Sequence, residues 1–239
     1  MSENKKDDIA YGRMSFHMPF GFIAVLLVQI LAIPQKWIEL LLHVIVVIYI
    51  SIIEILRLIG QHYWKNKNDC NHPLHLWCYL HHKCLNFSLK KKILRDTEIS
   101  TISSSLWYVF GIYITYFLFP VWIAVPSLLY LAIGDPMARA FGIGLKGKKR
   151  KWLMNKTIEG AFGFFISGGF AVLITVILNG WFSLYPTDIA LSQLLVMLVV
   201  GDTVGMLSEI YSGKVDNLSI PVFSGLAMHL YYGYVILGV

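Results

Sequence analysis

The sequence predicts an all-α integral membrane protein of about seven transmembrane helices, with the N-terminus cytoplasmic and the C-terminus outside. Three observations predict it. Of the 239 residues, 56% are hydrophobic and only 14% charged, a balance that excludes disorder and argues against an ordinary soluble domain. The apolar residues fall into runs long enough to cross a bilayer, which takes about 20 residues. The cations gather between alternate runs, as the cytoplasmic excess of Lys and Arg requires.

The runs, in order, are Phe16–Ile33, Ile38–Gly60, Ile102–Phe119, Val121–Gly134 with the residues after it, Ala161–Leu178, Ile189–Ser208 and Leu218–Val239. The third and fourth are separated only by "FPVW". Backbone polar groups in lipid must be satisfied within the segment, so each run is expected to be helical. No alternation typical of a membrane barrel is present. The start "MSENKKDDIAYGR" lacks the features of a cleavable signal, so the first run is expected to be an uncleaved anchor.

With seven spans, the tail 1–14 and the loops 61–100, 135–160 and 209–217 share one side, giving one polytopic domain over 1–239. Counting Arg57 with its nearer end, that side carries every Lys and Arg except Lys36, and the +6 net charge therefore describes one membrane face. Anionic headgroups or a phosphorylated ligand suit it better than nucleic acid, which is not expected as a partner. The three cysteines lie in the 61–100 loop, on the reducing side, and no disulfide framework is expected. The "NFS", "NKT" and "NLS" sequons at Asn86, Asn155 and Asn217 share that side and should be unglycosylated.

Ionisable residues at membrane depth are costly and point to function. Most lie toward the basic side: His17, the Glu54–Arg57 pair, Asp135, and Asp202 with Glu209, seven apart on one helical face. His43 and His229 are the exceptions. Glu54 and Arg57 read as a structural pair at helical spacing. Clustered carboxylates at a basic mouth suit Mg²⁺ shared with substrate phosphates.

The stretch "GDPMARAFGIGLKGKKRKWLMNKTIEG", Gly134 to Gly160, concentrates such chemistry. Asp135-Pro136 reads as a helix start with Asp as N-cap. Gly142, Gly144 and Gly147 permit close backbone approach. Most of "KGKKRK" reads as solvated surface. Lys156-Thr157 resembles the end of a P-loop, but Asn155 replaces the glycine, so there is no Walker A motif. Glu159 suits the positive end of the next helix. Together, cations for phosphates, acids for a metal and glycines for close approach fit a nucleotide.

"GD", Ala138, Gly142, the glycine- and lysine-rich turn and "KTIEG" resemble the signature of the polyprenol kinase family, which includes dolichol kinases, phytol kinases and CTP-dependent diacylglycerol kinases. "GRMSFHMPFG", "EILRL", "LRDTEISTISSSLWYVFG" and "SEIYSGKVDNLSIPVFSGL" resemble its other elements, in order from Arg13 to the C-terminus. Met14 departs from the family's usual Lys. The resemblance implies a multi-pass membrane enzyme that transfers the γ-phosphate of CTP, or another nucleoside triphosphate, to a polyprenol, dolichol, phytol or diacylglycerol-type lipid alcohol. Its site would face the cytoplasm, at the plasma membrane of a prokaryote or the endoplasmic reticulum of a eukaryote. It carries over Arg13, His17, Arg95, Gly134, Gly142, Lys156, Thr157, Glu159 and Asn217 to nucleotide binding, and Pro221 by position. Asp135, Glu98 and Lys156 take catalytic roles, with Asp135 or Glu98 positioning the lipid hydroxyl. Asp135, Glu209 and Asp216 would hold Mg²⁺, and Asp202 stands outside the pattern. A lipid cytidylyltransferase of the same fold is the enzyme alternative, and a small lipid or ion transporter the alternative of another class. Neither the lipid nor the oligomeric state is legible.

"CNHPLHLWCYLHHKC", Cys70 to Cys84, lies apart from this pattern. His75, Cys78 and His82 would share a helix face suited to zinc, though the spacing is not a standard one. The interleaved Leu and aromatic residues favour an interfacial helix instead.

Overall fold

The computed structural model describes residues 35–44, 102–144, 156–183, 185–187 and 189–238, with isolated positions such as Glu54 and Arg57. The described residues are helical with short connections. Helix α1 spans Gln35–His43, α2 Ser104–Leu118, α3 Val121–Leu129, α4 Asp135–Gly144, α5 Ile158–Phe182, α6 Leu191–Ser212 and α7 Asp216–Tyr231. The first expected span, the tail 1–14 and the 61–100 loop lie outside the described residues.

Local sequence sets the ends of these helices. Ser103 caps α2 by accepting the Leu106 N–H at 3.3 Å. Phe119, held extended before Pro120, ends it, so "FPVW" does separate two helices. Thr157 caps α5 by accepting the Gly160 N–H at 3.1 Å. Ser183, in the left-handed region, closes α5.

From Val121 to Gly144 the chain is helical without interruption, because a π-helical stretch, Tyr130–Gly134, joins α3 to α4. Pro136, two residues past its end, lacks the N–H that a regular ladder needs there, which accounts for the loosened winding. This corrects two expectations. The segment expected to be loop from residue 135 begins as helix, and Asp135 is not an N-cap. Its backbone is helical, φ −61° and ψ −47°, and its carboxylate turns to Arg139.

Among the described residues, three helical stretches are long and apolar enough to cross a membrane: Val121–Ile143, Ile158–Trp181 and Leu191–Leu237. The last, 47 residues, is more than twice the length a bilayer needs. It folds back at Gly213, φ 59°, through the 3₁₀ turn Gly213–Val215. Gly201 then packs on Met228 and Gly205 near Ser224, so α6 and α7 form an antiparallel hairpin. The shorter apolar helix α2 matches the third expected run.

Val121–Ile143 is the central rod. Ile123, Leu128, Leu129, Tyr130 and Leu131 are all fully buried, as expected of a helix apolar on every side. Around it, α5, α6 and α7 turn large apolar side chains outward, among them Phe162, Phe170, Trp181, Val196 and Phe223. So much exposed apolar surface is untenable in water and suits a bilayer; the fold is that of a membrane protein. Small residues let the helices close on each other. A Cβ on Gly160 would come within 2.9 Å of the Ala138 carbonyl, so only glycine allows α5 to meet α4 there.

The helices alternate in direction. Ser103, Asp135 to Gly144, Lys156 to Glu159, and Glu209 to Asn217 therefore come to one end of the bundle. Phe119–Val121, Ser183, Tyr185, Ala190 and Tyr231 come to the other.

Candidate functional site

Five charged side chains meet at that first end. On α4, Asp135 and Arg139 are one turn apart on one face. Arg139 Nη2 lies 2.9 Å from Asp135 Oδ2 and 3.0 Å from Oδ1, and Nε donates to Oδ1 at 3.2 Å. Lys156 precedes the first turn of α5 and reaches Glu209 Oε1 on α6 at 2.5 Å. Asp216 opens α7. Its Oδ1 accepts the Asn217 N–H at 3.0 Å. Its Oδ2 lies 3.5 Å from Arg139 Nη2 and 3.4 Å from Lys156 Nζ.

All three carboxylates are buried, Asp135 only 2% exposed. Removing such ions from water costs several kcal/mol each and is tolerated only with close counter-charges. Arg139 and Lys156 supply them, so that among the described residues three acids face two bases. Burial alone would lower the Lys156 pKa, but Glu209, Asp216 and Asp135 outweigh it and hold the ammonium above its usual value. Lys156 is therefore a permanent cation at neutral pH.

The sequence-derived residues divide accordingly. Asp135, Lys156, Glu209 and Asp216 come together. Thr157 and Asn217 adjoin them but are engaged in structure: Thr157 as the α5 cap, and Asn217 through Nδ2, which donates to the Ser104 carbonyl at 2.9 Å and ties α7 to α2. Gly134 packs against the Phe164 ring and Gly142 against Thr157 Oγ1. Glu159 stands in the first turn of α5, with Oε2 buried and without a hydrogen-bond partner among the described residues. Asp202 shares α6 with Glu209, two turns deeper, about 10 Å along the axis. It packs against Gly168, and its Oδ1 has no partner among the described residues. Arg13, His17, Arg95, Glu98, His75, Cys78 and His82 lie outside the described residues.

Glu54 and Arg57 form the expected pair, Oε1 to Nη2 at 2.6 Å and Nε to Oε2 at 2.8 Å. The pair does more than join neighbouring turns. Glu54 Oε1 also accepts the Ser103 N–H at 2.7 Å, fastening this segment to the start of α2. The main residue sequence reasoning missed is Arg139. Its spacing of four from Asp135 was the available signal.

The donor chemistry of Asp135, Glu209 and Asp216 suits a hard cation such as Mg²⁺, but they do not form a bare ligand set. Arg139 and Lys156 lie between them, and among the described residues no group of three or more His, Cys, Asp or Glu is arranged to hold a metal ion. A magnesium ion there would be held by one or two of these carboxylates and would need phosphate oxygens and waters to complete its shell.

No family profile matches the chain. No solved structure matches it either. Among characterised proteins, it is similar to CTP-dependent diacylglycerol kinase 1 of Schizosaccharomyces pombe, 27% identical over 143 residues. The match covers 58% of this chain and 64% of the relative, under two thirds of the latter's length. This likeness agrees with the motif resemblance to the polyprenol kinase family.

Proposed function

We propose that the chain is a multi-pass membrane kinase that transfers the γ-phosphate of CTP to the hydroxyl of a lipid alcohol. The observation that carries the reading is the meeting of Asp135, Lys156, Glu209 and Asp216, from four separate segments, in one buried cluster at one end of the bundle. The relative, named for diacylglycerol and CTP, favours diacylglycerol as acceptor and CTP as donor. Polyprenol, dolichol and phytol-type alcohols are the other candidates within the family. The charge distribution favours seven spans, an N-terminus in the cytoplasm and a cluster facing the cytoplasm, where nucleotide is available.

In this reading Lys156 holds the triphosphate, with Arg13 and Arg95 as further cations from outside the described residues. Asp135 or Glu98 orients the lipid hydroxyl and takes its proton. The hydroxyl oxygen bonds to the γ-phosphorus, the β–γ bridging bond breaks, and CDP leaves. Such transfer needs positioning and charge neutralisation more than covalent chemistry by the protein. The excess negative charge of the cluster, counted among the described residues, disfavours a bare triphosphate. Mg²⁺ arriving with the phosphates would offset both, held through one or two of Asp135, Glu209 and Asp216. The lipid chain would approach from the bilayer along the outward apolar faces.

The test is transfer from CTP and from ATP to a panel of diacylglycerol, dolichol, shorter polyprenol and phytol by purified protein. Phosphorylated diacylglycerol, formed with CTP and lost in Asp135→Asn, is expected. No phosphorylated lipid with either nucleotide would remove the reading.

A further inference from the structure

Arg139 stands outside the motif resemblance, yet its side chain is placed deeper than that of Lys156, 16% exposed against 25%. Its fork onto Asp135 is explained by helical spacing alone. Its second contact is not. Arg139 on α4 and Lys156, just before α5, converge on one oxygen, Asp216 Oδ2, at 3.5 and 3.4 Å. These are longer than the 2.7–2.9 Å typical of charge-assisted bonds. The other Asp216 oxygen is engaged by the Asn217 N–H, so helix α7 fixes the carboxylate while both cations reach toward it.

An anionic oxygen between a guanidinium and an ammonium is the position that a phosphate oxygen takes between the same two groups. Guanidinium also matches phosphate in two-pronged geometry, which an ammonium cannot reproduce. We propose that Arg139 is a phosphate-positioning residue that works with Lys156, and that Asp216 Oδ2 holds the place of a nucleotide phosphate oxygen until nucleotide arrives. On binding, the two cations exchange Asp216 for phosphate. This rests on the kinase reading and specifies which side chains meet the phosphate. A purely structural ion pair would secure α4 through Asp135 but would not need Lys156 on the same oxygen.

The experiment uses the full chain in lipid nanodiscs, with a metal chelator for the pyrophosphate titrations and with Mg²⁺ for the CTP titrations and the kinetics. Titration calorimetry with pyrophosphate and with CTP gives affinity, and melting temperature and steady-state kinetics follow for each variant. Asp216→Asn keeps the shape and can still accept the Asn217 N–H. It removes a like charge beside the incoming phosphate and is expected to tighten pyrophosphate by about tenfold. Arg139→Lys keeps the charge but loses the fork. It is expected to weaken CTP by about tenfold and to raise KM more than it lowers kcat, with a melting temperature close to that of the parent. If Arg139→Lys and Arg139→Ala bind CTP as the parent does, Arg139 has no phosphate role. If Asp216→Asn weakens pyrophosphate, the carboxylate is not a placeholder. A parent protein that phosphorylates lipid while these variants behave in either of those ways loses only this inference. A parent that binds neither CTP nor pyrophosphate loses the kinase reading as well.

Discussion

Lys156 Nζ sits 2.5 Å from Glu209 Oε1, although 53 positions separate the two residues. The contact joins the start of α5 to the end of α6 at the point where α4 and α7 also arrive. A cation in the connection before one helix is thus the counter-charge for acids on two others.

Lys156→Ala should therefore damage both fold and activity. Among the described residues it leaves Glu209 without an ion-pair partner and Asp216 with only Arg139, which costs about 3 kcal/mol for breaking a buried pair. Thermal melting should fall by several degrees and CTP binding should be lost. The raised pKa makes this contribution complete below the usual lysine value of 10.5 and lost only as pH rises through the higher folded value. Melting curves should accordingly show no Lys156-dependent change around neutral pH.

Asp135→Asn should separate chemistry from stability. The amide keeps the shape and one acceptor for Arg139, so melting should move little. Turnover should fall by about a hundredfold or more, the scale of losing a group that acts in the transition state. Single-turnover kinetics on detergent-purified protein would measure it.

Gly168 and Asp202 should be coupled. A Cβ at 168 would overlap Asp202 Oδ1. Gly168→Ala should destabilise by about 2 kcal/mol through overpacking. The double change with Asp202→Ala should recover most of that, a coupling that a double-mutant cycle of unfolding measurements detects. Additive losses would show that the two residues do not meet.

Glu54→Gln should destabilise without touching turnover. It weakens the pairing with Arg57 while leaving an oxygen for the Ser103 N–H, a loss of about 1–2 kcal/mol. Melting temperature and kcat, measured together, distinguish this from a role in the reaction.

Much of this was legible in the sequence because apolar length and acid placement are properties of single segments. The runs that became α2, the Val121–Gly144 rod, α5, α6 and α7 stand out by hydropathy. Glu54 with Arg57, and Asp202 with Glu209, stand out by helical spacing. What failed was local: Asp135-Pro136 reads as a helix start by every capping rule, but the π-helical turn before it carries the helix through Pro136. Convergence was illegible for another reason. That Arg139 and Lys156 share Asp216 Oδ2 depends on how α4, α5 and α7 pack, and spacing along the chain carries no record of it.

The central claim is phosphoryl transfer from CTP to a lipid hydroxyl. Parallel reactions of purified protein with γ-labelled and α-labelled CTP and diacylglycerol, followed by lipid extraction, test it most directly. The account predicts label in the lipid from the γ position only, with CDP released. Label from the α position with pyrophosphate released, or none in any lipid from either, would contradict it.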